Sequence, residues 1–295
     1  MLIEMATPAP MQLALGTVQF GLAYGIAGSG QAVPEAQVRR ILAVAWDRGL
    51  RMLDTAAAYG DIEPRLAELC GRLPFQVVSK VPAIPDAMTP DEAATWALAQ
   101  AVQSRQRLGP LLAGLMCHRA DDLLGERGQA VYAALQRWAV SEGIALGASC
   151  YGPEAFLALH EQHPLDLAQL PGNALDQRLL QVITAELPGV DVHLRSAFLQ
   201  GLLLMPQEQG SARVPAARAA LQRWHGWCQA QAVSPLVGAL SLVKSFQAVS
   251  TVVIGVETVA QIEDIATAWA TAAPALAPQL AVDDPSVIDP RAWPS

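Results

Sequence analysis

The 295 residues are 52% apolar, 16% charged and 5% aromatic, with 19 basic and 27 acidic side chains and a net charge of −8. This composition excludes a wholly disordered chain. The acidic balance argues against nucleic acid or an anionic membrane as a general partner, although a local pocket can still accept an anionic small ligand. The length fits two ordinary domains or one α/β barrel. Cys70, Cys117, Cys150 and Cys228 show no CxxC spacing and read as reduced thiols of a cytoplasmic protein. The N-terminal residues lack a basic leader and are interrupted by Glu4 and Pro8, so no signal peptide is expected. No uncharged apolar run reaches about 18 residues, so no membrane-spanning helix is expected.

Short apolar runs at 13–16, 50–53, 75–80, 112–117, 144–148, 166–170, 190–196 and 251–255 read as strands. Helical patterns lie between or after them at 34–48, 61–71, 90–108, 127–141, 153–161, 176–187, 214–230 with 235–247, and 258–269. Thr89-Pro90-Asp91-Glu92 has a cap, a first-turn proline and first-turn acids, and Gly152-Pro153-Glu154 opens the fifth helix similarly. Gly49 and Gly143 punctuate helix ends.

Eight strand–helix repeats without a long polar linker predict one (β/α)8 TIM barrel with parallel strands over 1–295. The repeat runs from about 12 to 270, and 271–295 forms an irregular C-terminal tail. A doubly wound sheet would usually show a GxGxxG turn after its first strand, whereas Gly16-Thr17-Val18-Gln19-Phe20-Gly21 stands there.

A barrel carries its active site at the C-terminal ends of the strands. The glycine-containing loop 17–33 therefore belongs to the site face. Asp54, Lys80 and His118 end three adjacent strands, and Tyr59 follows Asp54 by five residues. Lys80 and Lys244 are the only lysines, so a lysine ending a strand needs a local reason. Asp54 with Lys80 could be a structural ion pair, Tyr59 a half-buried aromatic and His118 a satisfied histidine. Together they could form a proton-transfer site, because an ammonium makes a nearby phenol a better acid and a carboxylate holds that ammonium in place. His160 and His163 read as surface residues, His193 as core, and Trp224 with Trp227 as helix packing. No metal-ligand set is evident, since Cys117 and His118 point to opposite faces of a strand.

Leu53-Asp54-Thr55-Ala56-Ala57-Ala58-Tyr59-Gly60 resembles the aldo-keto reductase signature. Lys80 and His118 fall where that family's other two catalytic residues fall. Gly147-Ala148-Ser149-Cys150, Gln169 through Asn173, Ser196 through Leu203, and Ile254 through Thr258 with Gln261 are similar to further family segments.

The resemblance implies reduction of an aldehyde or ketone, a sugar-derived one among the candidates, by NADPH or NADH. Tyr59 would be the general acid, Lys80 and Asp54 would tune it, and His118 would orient the carbonyl. Ser149, Gln169 and Asn173 would hold the carboxamide side of the cofactor. Gly16, Thr17, Arg195, Ser196, Phe198, Gly201, Gly255, Glu257, Thr258 and Gln261 complete the implied cofactor contacts. Cys150, Arg195, Glu257 and Ile265 depart from the family pattern, and Glu257 leans the choice towards NADH. The partner is a small carbonyl compound, without nucleic acid or membrane. The alternatives are a nucleotide-binding sensor or subunit, and an aldolase using Lys80 as a Schiff-base lysine.

Overall fold

A computed structural model describes residues 10–181, 187 and 189–293. Eight strands close into one parallel barrel in the order β1 to β8. They are β1 (Gln12–Gly16), β2 (Met52–Asp54), β3 (Gln76–Val81), β4 (Leu112–Cys117), β5 (Ala145–Ser149), β6 (Leu167–Pro171), β7 (Asp191–Arg195) and β8 (Thr251–Gly255). The expected eight strands are all present, each end within two residues of its expected place, and β1 pairs with β8 to close the ring.

The helices are α1 (Val18–Gly21), α2 (Glu35–Asp47), α3 (Ile62–Cys70), α4 (Pro90–Leu108), α5 (Gly125–Glu142), α6 (Pro153–Gln162), α7 (Gln207–Arg213), α8 (Arg218–Ala230), α9 (Pro235–Val243), α10 (Val259–Thr271) and α11 (Pro285–Ile288). Local chemistry explains several boundaries. Thr89 and Glu92 form a reciprocal capping box at the start of α4, and Gly143 ends α5 in the left-handed conformation. Pro215 interrupts the pattern expected over 214–230, so a 3-10 turn at Pro215–Ala217 precedes α8.

The helix expected over 176–187 differs. Asn173 Oδ1 accepts from the amides of Leu175 and Asp176, and Asp176 is forked onto Arg178, so the chain turns instead of entering an α-helix. A 3-10 turn follows at Arg178–Gln181, and most of the remainder of that expectation lies outside the described residues. The tail is also more ordered than its composition suggested. It forms α11 and two 3-10 turns, and it is tied back where Val282 N–H donates to Leu175 O and Gln177 Nε2 donates to Ala277 O.

Period-two alternation positions the chemistry. Ala14, Met52, Val78, Met116 and Leu167 pack together as one cluster inside the barrel. The next inward positions on three of these strands, two residues later, are Asp54, Lys80 and His118. The intervening Leu53 and Cys117 join the core between barrel and helices. Each fully buried aliphatic side chain there contributes about 1.5–3 kcal/mol.

His193 and Trp224 are buried as expected, and Trp224 and Trp227 stack at 5.7 Å. His163 is not a surface residue. It is buried, stacks on Tyr132 and hydrogen-bonds Leu123 O, because the end of α6 packs over a 3-10 turn at Ala120–Leu123. All four cysteines are free and buried.

Candidate active site

Lys80 is fully buried, and its ammonium donates to both Asp54 oxygens at 2.7 Å and to Thr55 O at 3.0 Å. Those three contacts use the three N–H donors of an ammonium. Burial opposes the charge on Lys80, but the Asp54 and Tyr59 fields and the Asp54 hydrogen bonds outweigh it, and the net pKa shift is upward. A charged, triply engaged ammonium is a poor Schiff-base nucleophile, which counts against the aldolase alternative. Gln169 Nε2 adds a 2.6 Å bond to Asp54 Oδ2. Gln169 therefore anchors the carboxylate, in addition to lining the adjacent groove.

Tyr59 lies beside this pair. The Lys80 ammonium is 5.4 Å from its ring centroid, and His118 meets the ring edge-on at 5.8 Å. The loop holding Tyr59 is gripped by two glycines. A Cβ on Gly21 would lie 1.9 Å from Tyr59 O, and Gly60 has φ +66° with Gly21 O 2.6 Å from where its Cβ would be. Burial raises the phenol pKa; the Lys80 ammonium pulls it back down but does not reverse the shift.

Burial first, and the Lys80 charge second, push His118 down to about 4. The imidazole is therefore neutral near pH 7, with one N–H to donate. Its depressed pKa also fixes a pH window. Folding loses stability as pH falls from the ordinary value of 6.5 towards about 4, because the unfolded chain binds the proton more readily. A hydrogen bond from neutral His118 should persist down to about pH 4. Turnover that loses half its rate near pH 6.5 through His118 itself, shown by disappearance of that step in His118→Gln, would contradict this.

A cavity of about 550 Å³ runs from this cluster across the barrel mouth to the start of α10. Its volume suits a small ligand or cofactor. Asp54 and Tyr59 line the cavity, as do Gly16, Thr17, Arg195, Ser196, Phe198 and Gly201. Gly255, Glu257 and Gln261 line its far end. Ser149 sits behind Gln169 at a hydroxyl-to-Oε1 distance of 3.5 Å. Asn173 is fully buried and spends its Oδ1 on its own loop. Thr258 caps α10 in a reciprocal box with Gln261, which holds the Glu257 and Thr258 amides.

Three features escaped sequence reasoning. Asp264 also lines the far end. Glu257 accepts from Ser29 N–H with both oxygens (3.2 and 2.9 Å), so the loop after β1 is clasped across the cavity to the loop after β8. The loop after β7 holds Ser196, Leu199 and Gln200 at positive φ (65°, 49° and 52°), a strain that such sites commonly store. Long-range contacts of this kind leave no local sequence signal. Arg195 donates to Cys150 O at 3.1 Å and lies 4.7 Å over the Tyr151 ring.

Among the described residues, no helix is long and apolar enough to cross a membrane, and no group of three or more His, Cys, Asp or Glu is arranged to hold a metal.

The family model described as the aldo/keto reductase family matches residues 12–275. No curated protein matches the chain significantly in sequence. Among solved structures, an aldo-keto reductase of Bacillus halodurans in its holo form aligns with a TM-score of 0.71 at 18% identity, covering 95% of this chain and 94% of that one. A glycerol dehydrogenase of Gluconobacter oxydans aligns with a TM-score of 0.63 at 20% identity, covering 91% and 88%.

Proposed function

The chain belongs to the aldo/keto reductase family, and on that premise we propose that it reduces an aldehyde or ketone at the Tyr59–His118 edge, using NADH in preference to NADPH. The observation that carries this reading is the buried Asp54–Lys80 pair beside Tyr59 at the inner end of the 550 Å³ cavity.

The cavity suits a dinucleotide in length of lining, from the strand ends to α10, and in polar groups at both ends. Gly16, Thr17, Ser196 and Gly201 would hold it along the mouth, with Arg195 beside its reactive end. Bound there, the reduced nicotinamide supplies a hydride. Tyr59 gives its phenolic proton to the substrate oxygen, and neutral His118 donates a hydrogen bond that orients the carbonyl. Lys80 then stabilises the phenolate left on Tyr59, and Asp54 with Gln169 keeps Lys80 in place. A fluorescence titration with each cofactor, followed by cofactor oxidation against an aldehyde panel, tests the reading. Binding without oxidation of either cofactor by any aldehyde would support the sensor alternative.

The preference for NADH rests on charge. Of the lining side chains, Glu257 and Asp264 stand at the far end, whereas Arg195, the lining cation, stands near Tyr59. A 2′-phosphate normally needs a cation, worth about 1.5–3 kcal/mol as a charge-assisted hydrogen bond. Glu257→Lys should shift the NADPH-to-NADH affinity ratio by about tenfold or more towards NADPH, since a decade is about 1.4 kcal/mol. It should also loosen both cofactors somewhat, because the Ser29 clasp is lost. Dissociation constants showing NADPH bound a hundredfold tighter by the unmodified protein would defeat the preference.

A further inference from the structure

Glu63 is a buried carboxylate that the cofactor and proton-transfer chemistry leaves unused. It stands in the first turn of α3, a few residues after Tyr59, and is fully buried. Ser79 Oγ donates to its Oε1 at 2.7 Å, and Arg107 Nη1 donates to its Oε2 at 2.9 Å. Ser79 is itself fully buried, whereas Arg107 reaches solvent from α4.

Alternation along β3 places the first of these contacts. Val77 and Val81 face the helices, while Val78 and Lys80 face the barrel interior. Ser79 therefore lies on the helix side, directly before Lys80. Consecutive residues of β3 hold the segment from Thr55 to Glu63. Val78 O accepts from Thr55 N–H at 2.9 Å, and Lys80 O accepts from Ala57 N–H at 3.2 Å. Ser79 adds the last tie through Glu63. Tyr59 stands between the tie at Ala57 and the tie at Glu63. Gly60, at φ +66°, lies in the same interval, so the chain there has little stiffness of its own.

We propose that Glu63 and Ser79 are positioning residues that set the distance between the Tyr59 phenol and the Lys80 ammonium from outside the barrel. The inference rests on the reductase reading and adds to it a pair of residues that governs rate without touching substrate or cofactor. The Lys80 charge pulls the Tyr59 pKa down against burial, and such a pull weakens with separation. Stability alone does not account for the carboxylate. A buried ion pair is commonly no more stabilising than apolar groups of the same volume, and solvent screens the Arg107 side of this one.

The test uses four variants of the full chain. Glu63→Ala should lower kcat by about tenfold, the kind of loss that a small misplacement of a reacting group produces. Aldehyde KM and cofactor dissociation constants should hold, because neither Glu63 nor Ser79 lines the cavity. Ser79→Ala removes one oxygen, keeps Arg107 on Glu63 and should act in the same direction, so it reads the tie if Glu63→Ala fails to fold. Glu63→Gln should keep most of the rate, since an amide can still pair with the Ser79 hydroxyl and the Arg107 guanidinium. Arg107→Gln should lower the melting temperature and leave kcat close to that of the unmodified protein. NMR of ring-labelled tyrosine reads the placement without turnover. The Tyr59 resonance, assigned by its loss in Tyr59→Phe, should shift in Glu63→Ala and Ser79→Ala and stay in place in the other two variants.

Lower melting temperatures with kcat and the Tyr59 resonance unchanged would reduce Glu63 and Ser79 to structural residues and overturn the proposal. A loss in Glu63→Gln as large as in Glu63→Ala, or the same loss in Arg107→Gln, would also overturn it. Absence of turnover with every aldehyde, with the Tyr59 resonance still sensitive to Glu63→Ala and Ser79→Ala, would overturn the reductase reading and leave the positioning standing. Absence of both would overturn the two together.

Discussion

Tyr59→Phe should lower kcat by about 10²–10⁴-fold, the usual worth of a positioned general acid. Cofactor affinity and melting temperature should stay close to those of the unmodified protein. The substitution removes one oxygen, leaves the ring against His118, and breaks no hydrogen bond on which the Asp54–Lys80 pair depends. The separation between rate and stability is diagnostic. A residue that merely packed the mouth would change both or neither. Single-turnover rates and cofactor titrations on the two proteins measure the effect. A variant retaining more than half of the rate would remove Tyr59 from the proton-transfer role.

Lys80→Met should act on rate and fold together. Asp54 would remain nearly buried with its ammonium partner gone and only Gln169 donating to it among the side chains. Breaking a buried pair in this way costs about 3–5 kcal/mol, which corresponds to a melting temperature lower by on the order of 10 °C. The sign of the pH dependence follows from the raised Lys80 pKa. The Lys80 contribution is present below its ordinary value of about 10.5 and is lost as alkaline pH crosses the raised folded value.

The double variant Asp54→Asn with Lys80→Met should regain much of the stability, because no bare charge is left behind. It should not regain activity, because Tyr59 still lacks the ammonium that would stabilise its phenolate. Thermal melts and turnover assays on single and double variants separate the two effects. Full activity in the double variant over pH 5–9 would sink the proposed relay.

The legible parts of the site were those written in short-range pattern. Alternation inside a strand commits Val78 and Lys80 to one face, and Met116 and His118 likewise, so the inward line of each strand can be followed to its end. Tyr59 was readable because five residues after a strand end leave it little room to go elsewhere. Gln169 was readable as a polar group at a strand end. Its bond to Asp54 was not, because that bond crosses 115 positions of sequence.

The last helix shows the same boundary from another side. Thr258 was expected beside a cofactor, and its hydroxyl caps α10, a role its position at the helix start also permits. His163 was misplaced for a related reason. A histidine at a helix end looks exposed until the neighbouring Tyr132 ring and Leu123 carbonyl close over it.

By itself, the order of residues determined the barrel, the face that carries chemistry and the strand ends where Asp54, Lys80 and His118 stand. Those follow from hydrophobic period and turn chemistry, which act over a few residues. Only the tertiary structure decided what meets across the mouth: Glu257 on Ser29, Gln169 on Asp54, and the tail's Arg291 on Tyr151. Such contacts join segments far apart in the chain, and their geometry is set by ring closure of the sheet and the packing around it. No local pattern encodes them.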